Sequence, residues 1–334
     1  MESTALQPSP NPSYPPLFRI PSHHTSPPSP PSPSHPPNIQ IPLLDLHHLD
    51  LTQLTTACKE VGLFRLANHG VPSDLSAQLM DQAKELLSLS FESKKASLSH
   101  PVAYFWGTPA VKLSVKNLNW LEGLHVPLGQ ISSGGGDLRL GGCVSSLSSF
   151  IYLVDEYGKH MARIARVLFD ALRADLKLDS EQLTSYLSEF DGTFRVYRYP
   201  CCPDVSNYFG MEAHTDSSVL SIVNQDNVGG LQVLQDSAWF NVTPIPDTFI
   251  VNLGDMMQAI SGDEYKSVEH RVLANRDTER ISLCYFAFPV EDSVIISSNY
   301  KPFAYKDFKA QVQEDIKTTG SKVGLRRFRI GNSS

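Results

Sequence analysis

The chain has 334 residues, of which 41% are hydrophobic and 19% are charged, a composition typical of globular proteins with one large or two smaller domains. The formal net charge is −7 and no long basic run is present, which argues against nucleic acid and anionic membranes as partners. No apolar run reaches the ~18 residues that a transmembrane helix needs.

Residues 1–37 contain 13 of the 24 prolines and many serines. This composition cannot bury a core, so we expect a disordered tail whose removal leaves the melting temperature nearly unchanged. The tail lacks the apolar segment of a signal peptide. The five cysteines include no C-x-x-C pair, which indicates a reduced protein. We therefore expect a cytoplasmic location, with the nucleus as an alternative.

Short strands and helices alternate over residues 38–145, which predicts a mixed α/β N-terminal module. Its clearest elements are a strand within 39–46, a helix over 51–61, a strand over 63–66 and a helix over 75–89. Residues 146–192 are predicted to form bracing helices, because apolar residues recur at a helical period over 147–176.

From residue 193 to 300 the sequence consists of short β-type runs between turns. The runs cover residues 194–199, 219–223, 231–234, 239–242, 248–252, 267–273, 281–288 and 294–296. Eight runs within about 100 residues predict a double-sheet jelly roll, or double-stranded β-helix. With a C-terminal helix and tail over 301–334, the expected fold class is α+β, a jelly-roll core with flanking helices.

The stretch His214-Thr215-Asp216 places an imidazole and a carboxylate two residues apart. On a strand these positions project from the same face. His270, 54 residues beyond Asp216, is a third candidate ligand. Two histidines and one carboxylate with open positions form the facial triad of non-heme Fe(II) oxygenases. The same donors suit zinc, but a second motif favours iron.

This second motif is Arg280-Ile281-Ser282, ten residues past His270. Arg280 and Ser282 share a strand face in an apolar run. A guanidinium and a hydroxyl on one face suit a carboxylate ligand, which arginine binds in bidentate fashion. Because a buried arginine requires a partner, the alternative to a dicarboxylate cosubstrate is an internal carboxylate.

Together with Phe194-Arg195-Val196-Tyr197-Arg198-Tyr199-Pro200 and Asn252-Leu253-Gly254-Asp255, these motifs resemble the plant 2-oxoglutarate- and Fe(II)-dependent dioxygenases over roughly residues 39–330. The resemblance implies that His214, Asp216 and His270 bind Fe(II) and carry catalysis. It implies that Arg280, Ser282 and Tyr199 bind 2-oxoglutarate. It also implies O2 as cosubstrate, succinate and CO2 as coproducts, and a benefit from ascorbate.

The closing "VGLRRFRI" and the run "HTDSSVLSIVNQDNVGGLQV" are most similar to gibberellin oxidases of the 2-beta-dioxygenase type. The resemblance implies a monomeric oxidoreductase that hydroxylates a diterpenoid acid in plant hormone metabolism. Phe286 aligns with an aromatic residue that lies against substrate, although core packing explains it equally well. Tyr197 departs from the asparagine of many relatives. The alternatives are a flavonoid or phenylpropanoid dioxygenase, an oxidase that uses ascorbate, and an inactive jelly-roll binding module.

Overall fold

A computed structural model describes residues 11–19, 36–107, 119–132, 144–188 and 192–331. The helices are α1 Leu51–Glu60, α2 Ser73–Ser88, α3 Phe91–Ser97, α4 Leu128–Ser132, α5 Val144–Ala171, α6 Arg173–Leu176, α7 Ser180–Ser185, α8 Asp255–Ile260 and α9 Tyr305–Thr319. The strands are β1 Leu43–Asp45, β2 Leu63–Ala67, β3 Ala103–Trp106, β4 Glu122–Pro127, β5 Thr193–Tyr199, β6 Phe209–His214, β7 Leu220–Gln225, β8 Leu231–Gln235, β9 Ala238–Asn241, β10 Phe249–Leu253, β11 His270–Leu273, β12 Arg280–Ala287, β13 Val294–Ser297 and β14 Tyr300–Ala304. Short 3-10 helices cover Pro16–Phe18 and Gly324–Arg327.

Two β-sheets form the core within the described residues. The larger sheet has the strand order β1-β2-β10-β7-β12-β5-β4-β3, and the smaller has the order β6-β11-β8-β9. A cavity lies between them, since residues of β5, β7 and β12 line it from one side and residues of β6, β8 and β11 from the other. The predicted α+β jelly roll with flanking helices is confirmed.

Helix α5 braces the larger sheet on the face away from the cavity. Its Tyr157 ring lies 5.8 Å from that of Phe194 on β5 and 6.5 Å from that of Phe249 on β10. Both partners are buried, as is Met161 one turn further along the helix. The predicted long helix is therefore present, but it ends at Ala171 and a separate short helix, α6, follows.

The eight predicted β-type runs all coincide with strands, but others were missed. Strands β3, β4, β6 and β14 lie outside the predicted runs. Strands β1 to β4 join the larger sheet at its two ends, so the N-terminal module and the jelly roll share one sheet. The joining hydrogen bonds run from β2 to β10 and from β4 to β5, and local periodicity cannot reveal such pairings.

The expectation of a disordered tail is wrong for residues 11–19. Tyr14 and Phe18 pack their rings against Trp106 and Trp120, with centroid separations from 5.3 to 6.1 Å. Arg19 forms a salt bridge of 2.8 Å with Glu92. The prediction from average composition failed because Tyr14 and Phe18 provide large apolar side chains within a segment that is otherwise rich in proline and serine.

The same segment completes a buried charge network. Lys94 is fully buried and its Nζ donates to Glu122 at 2.5 Å and to the carbonyl of Ser13 at 3.0 Å. Arg198 donates to the other oxygen of Glu122 at 3.1 Å. A buried ammonium needs each of its donors paired, so residues 11–19 contribute to the stability of the body.

We therefore expect Tyr14→Ala and Phe18→Ala each to destabilise the protein. Both side chains are half-buried, so the loss should be about 1–2 kcal/mol, from apolar burial and ring contacts. Thermal unfolding followed by circular dichroism measures it. Tyr152→Ala is the matched control because Tyr152 is 65% exposed. Equal melting temperatures for all four proteins would contradict the packing role.

Candidate active site

His214, Asp216 and His270 converge at one end of the smaller sheet. His214 ends β6, His270 begins β11, and the two residues are directly paired across the strands. The Nε2 atoms of His214 and His270 lie 3.7 and 3.8 Å from Asp216 Oδ1. All three ligand atoms lie within 4.8 Å of one another. With bonds of ~2.0–2.2 Å, neighbouring donors around one metal ion are separated by roughly 3–4 Å.

The backbone at Asp216 differs from the prediction in one respect. Strand β6 ends at His214, so Asp216 is not on the strand and does not share its pleat. The chain leaves the strand after His214, and Asp216 is held in place by a backbone hydrogen bond of 2.8 Å from Asp255 to its carbonyl. This bond, rather than strand pairing, fixes the backbone that carries the carboxylate.

Both histidines use Nδ1 in a backbone hydrogen bond and direct Nε2 toward Asp216. Nδ1 of His214 lies 2.8 Å from the carbonyl of Glu212, and Nδ1 of His270 lies 3.2 Å from the carbonyl of Val268. Because a carbonyl only accepts, each Nδ1 carries a proton, which leaves Nε2 as the nitrogen available to a metal. Burial and the neighbouring His270 lower the pKa of His214 to about 4. The ring is therefore neutral at pH 7.

Asp216 is present as a carboxylate. Burial alone would raise its pKa, but the facing histidines and hydrogen bonds lower the pKa to about 2. Its Oδ2 accepts from Asn252 Nδ2 at 2.8 Å, and Oδ1 is the atom that faces both histidines. Two imidazoles and one carboxylate match the donor set of a first-row divalent metal with open positions.

The C-terminal tail supports the segment between His214 and Asp216. Lys322 Nζ donates to the carbonyl of Thr215 at 2.5 Å and to Asp255 Oδ2 at 2.8 Å. Asp255 in turn accepts from Ser267 Oγ at 2.9 Å, three residues before His270. One lysine and one aspartate thus connect the two segments that carry the ligands.

Arg280 and Ser282 share a face of β12, as predicted. Arg280 Nη1 donates to Ser282 Oγ at 3.3 Å, and Nη2 donates to the neutral amide of Gln225 at 2.8 Å. Arg280 is buried, and its Nε has no hydrogen-bond partner among the described residues. Tyr199 lies opposite Arg280 on β5, with the guanidinium carbon 4.9 Å from its ring centroid. No internal carboxylate of the described chain neutralises this arginine, so the site has room for an anion.

The three candidate ligands line one cavity of about 470 Å³ together with Arg280, Ser282 and Tyr199, a volume within the range of small-molecule sites. Phe286 lies on its wall two residues along from Cys284, with the same orientation as Arg280 and Ser282. Helix α9 closes the far side with Val312 and Ile316. The structure therefore places every residue predicted for the site around the same space.

The chain matches the model of the 2OG-Fe(II) oxygenase superfamily over residues 190–289, and that of the non-haem dioxygenase N-terminal region over residues 41–130. It is 38% identical over 286 residues to Gibberellin 2-beta-dioxygenase 6 of Oryza sativa subsp. japonica, covering 82% of this chain and 78% of the relative. The chain belongs to the 2OG-Fe(II) oxygenase superfamily. Its activity is that of a dioxygenase that uses Fe(II), 2-oxoglutarate and O2 on a small molecule.

The chain is also similar to a second group of sequence relatives and to a solved structure. Protein DMR6-LIKE OXYGENASE 2 of Arabidopsis thaliana is 33% identical over 267 residues, covering 76% of this chain and 74% of the relative. The crystal structure of JOX2 in complex with 2OG, Fe and JA superposes with a TM-score of 0.71 at 27% identity, covering 84% of this chain and 88% of that one. None of the described helices is long and apolar enough to cross a membrane.

Sequence reasoning missed three contributors to this site. Asn252 belongs to a motif that contributed to the family resemblance and to which we assigned no role in the site, yet its side chain donates to Asp216. Lys322 carries no sequence signal, because its role depends on the C-terminal tail returning to Thr215. Asn119 accepts from the backbone of Glu212 at 2.8 Å and lines the cavity.

Proposed function

We propose that this dioxygenase oxidises a gibberellin, adding one oxygen atom while 2-oxoglutarate is converted to succinate and CO2. The observation that carries the proposal is the position of Arg280, a buried cation that has no anionic partner among the described residues and lies in the same cavity as the histidine–carboxylate cluster. The gibberellin part rests on the relatives, among which Gibberellin 2-beta-dioxygenase 6 and Gibberellin 2-beta-dioxygenase 8 are 38% and 36% identical.

In this proposal His214, Asp216 and His270 hold Fe(II), and Arg280, Ser282 and Tyr199 hold the far carboxylate of 2-oxoglutarate. Bound iron supplies the activation of O2, for which three protein ligands leave positions open. The hydrogen bonds to Nδ1 fix both imidazole planes, and Asn252 fixes the carboxylate. The buried wall around Arg280 excludes water and strengthens its interaction with an anion.

The character of the cavity supports a bulky, mostly apolar substrate. Phe286 and Phe288 contribute aromatic surface from the larger sheet, and Val312 and Ile316 contribute aliphatic surface from α9. Leu121 completes this apolar wall next to β4. A polycyclic diterpenoid skeleton can bury its area against such a lining, which is the main source of binding free energy for apolar ligands.

Incubation with Fe(II), 2-oxoglutarate and a panel of gibberellins, followed by mass spectrometry, tests the proposal. We expect at least one gibberellin to gain the mass of one oxygen, with no gain when 2-oxoglutarate is omitted. A flavanone in the same panel serves as the comparison substrate. Oxidation of the flavanone with no turnover of any gibberellin would contradict the proposed substrate.

A further inference from the structure

A second cation faces the cavity without an anionic partner among the described residues. Arg195, on β5, is half-buried and lines the cavity. Its Nε donates to His125 Nδ1 at 3.1 Å and its Nη1 donates to the hydroxyl of Tyr197 at 3.0 Å. Its guanidinium carbon lies 5.4 Å from the ring centroid of Phe286. All three partners carry no formal charge at neutral pH.

The other cations of the cavity wall are already engaged. Lys309 forms a salt bridge with Glu291, and Lys322 forms one of 2.8 Å with Asp255. Arg280 is assigned above to 2-oxoglutarate. Arg195 is therefore the cation that remains for an acidic group of the substrate, within the part of the chain that the structure describes.

Arg195 and Arg280 lie on different rungs of the larger sheet. Arg280 pairs with Tyr199 across the β5–β12 ladder, whereas Arg195 pairs with Cys284. Four residues of strand separate the two rungs, which places their backbones about 13 Å apart at ~3.3 Å per residue. Each arginine therefore has its own part of the cavity wall, and we assign the two to different anions.

The neighbours of Arg195 orient its guanidinium toward the cavity. Burial and the charge of Arg195 lower the pKa of His125 to about 4, so the ring is neutral and Nδ1 accepts the hydrogen bond from Nε. The Tyr197 hydroxyl accepts from Nη1, and Nη2 has no hydrogen-bond partner among the described residues.

We infer that Arg195 binds a carboxylate of the substrate, with Tyr197 and His125 as positioning residues. The inference rests on the proposed function in that gibberellins are diterpenoid carboxylic acids. A guanidinium with a free edge is suited to a carboxylate, and Phe286 beneath it contacts the apolar part of the same ligand. The anchor would fix which carbon of the skeleton faces the metal.

The test compares an accepted gibberellin with its methyl ester, which keeps the ring skeleton, lacks the charge and carries one additional methyl group. For wild type we expect the KM of the acid to be about 10- to 150-fold below that of the ester, the range for a hydrogen bond to a charged group. Arg195→Met should remove this difference, Arg195→Lys should restore part of it, and Tyr197→Phe should reduce it. Equal KM values of acid and ester for wild type would overturn the inference.

Arg65→Met is the matched control. Arg65 is also a buried arginine of the larger sheet with a neutral partner, the carbonyl of Thr243, but it does not line the cavity. We expect Arg65→Met to lower the melting temperature and keep the acid-to-ester ratio of wild type. The Kd of 2-oxoglutarate, measured without substrate, shows whether each Arg195 variant retains a folded site. An Arg195→Met protein that binds 2-oxoglutarate and keeps the wild-type ratio would overturn the inference.

If no gibberellin is oxidised, the proposed function fails and the anchor is tested by binding alone. The probes are abietic acid and methyl abietate, titrated by calorimetry without O2 into protein loaded with Fe(II) and 2-oxoglutarate. Tighter binding of the acid to wild type, lost in Arg195→Met, would support the anchor on its own. Equal binding of acid and ester, or binding of neither, would overturn it.

Discussion

Replacement of His214, Asp216 or His270 by alanine is expected to abolish turnover while the fold persists. Each side chain contributes one of three donor atoms that lie within 4.8 Å of one another. Loss of an outer partner of a metal ligand typically costs 10- to 100-fold, so loss of a ligand itself should cost at least ~100-fold. Succinate formation at saturating 2-oxoglutarate and O2, measured over a range of Fe(II) concentrations, gives the effect.

Suitable controls come from the same residue types on the surface. His48→Ala and Asp292→Ala remove an exposed histidine and a carboxylate whose side chain is 80% exposed. Both are expected to keep wild-type turnover. Circular dichroism verifies that the site variants are folded. Near-normal activity of any one of the three site variants with added iron would show that its residue is not a ligand.

Arg280→Ala is expected to weaken 2-oxoglutarate by about 30- to 3000-fold and to leave iron binding nearly unchanged. Loss of one partner of a buried charge pair costs roughly 2–5 kcal/mol, and each ~1.4 kcal/mol is a factor of ten. Arg280→Lys should recover only part of the affinity, because an ammonium does not reproduce the two parallel hydrogen bonds of a guanidinium. Ser282→Ala should cost roughly 1.5–3 kcal/mol. Titration of 2-oxoglutarate under saturating iron measures each value.

The competing interpretation gives a different result for the same variant. If Arg280 were only structural, Arg280→Ala would lower the melting temperature and leave the Kd of 2-oxoglutarate unchanged. Arg280 differs from a structural arginine in its position, because it lines the cavity with only the neutral partners Ser282 and Gln225 and is therefore accessible to an anionic ligand. Arg65→Ala is the control, because this buried arginine lies outside the cavity and its loss should affect stability alone.

The site could be predicted from sequence because its chemistry depends on short spacings. Arg280 and Ser282 lie two residues apart on one strand, and the structure places them on one face. The spacing of His214 and Asp216 selected two residues that the structure brings together, although the strand ends between them. The backbone of Asp216 is held by a hydrogen bond from Asp255 rather than by strand pairing. The ligand candidates followed from the residue types, a histidine and an aspartate close together, and not from the assumption that both lie on one strand.

What sequence could not provide were contacts between distant segments. Lys322 reaches the carbonyl of Thr215 across 107 positions, and Lys94 reaches that of Ser13 across 81. Neither lysine differs in its local pattern from a surface lysine. Arg195 was visible within a motif, but its lack of an anionic partner depends on His125 from β4. Such features follow from sheet register, which a single sequence does not fix.

The stoichiometry of succinate to oxidised gibberellin tests the central claim most directly. Wild-type protein with Fe(II), 2-oxoglutarate, O2 and its best gibberellin should form succinate and a product with one added oxygen in equal amounts. Asp216→Ala should form neither. Product formed without succinate, or equal turnover by wild type and Asp216→Ala, would contradict the account.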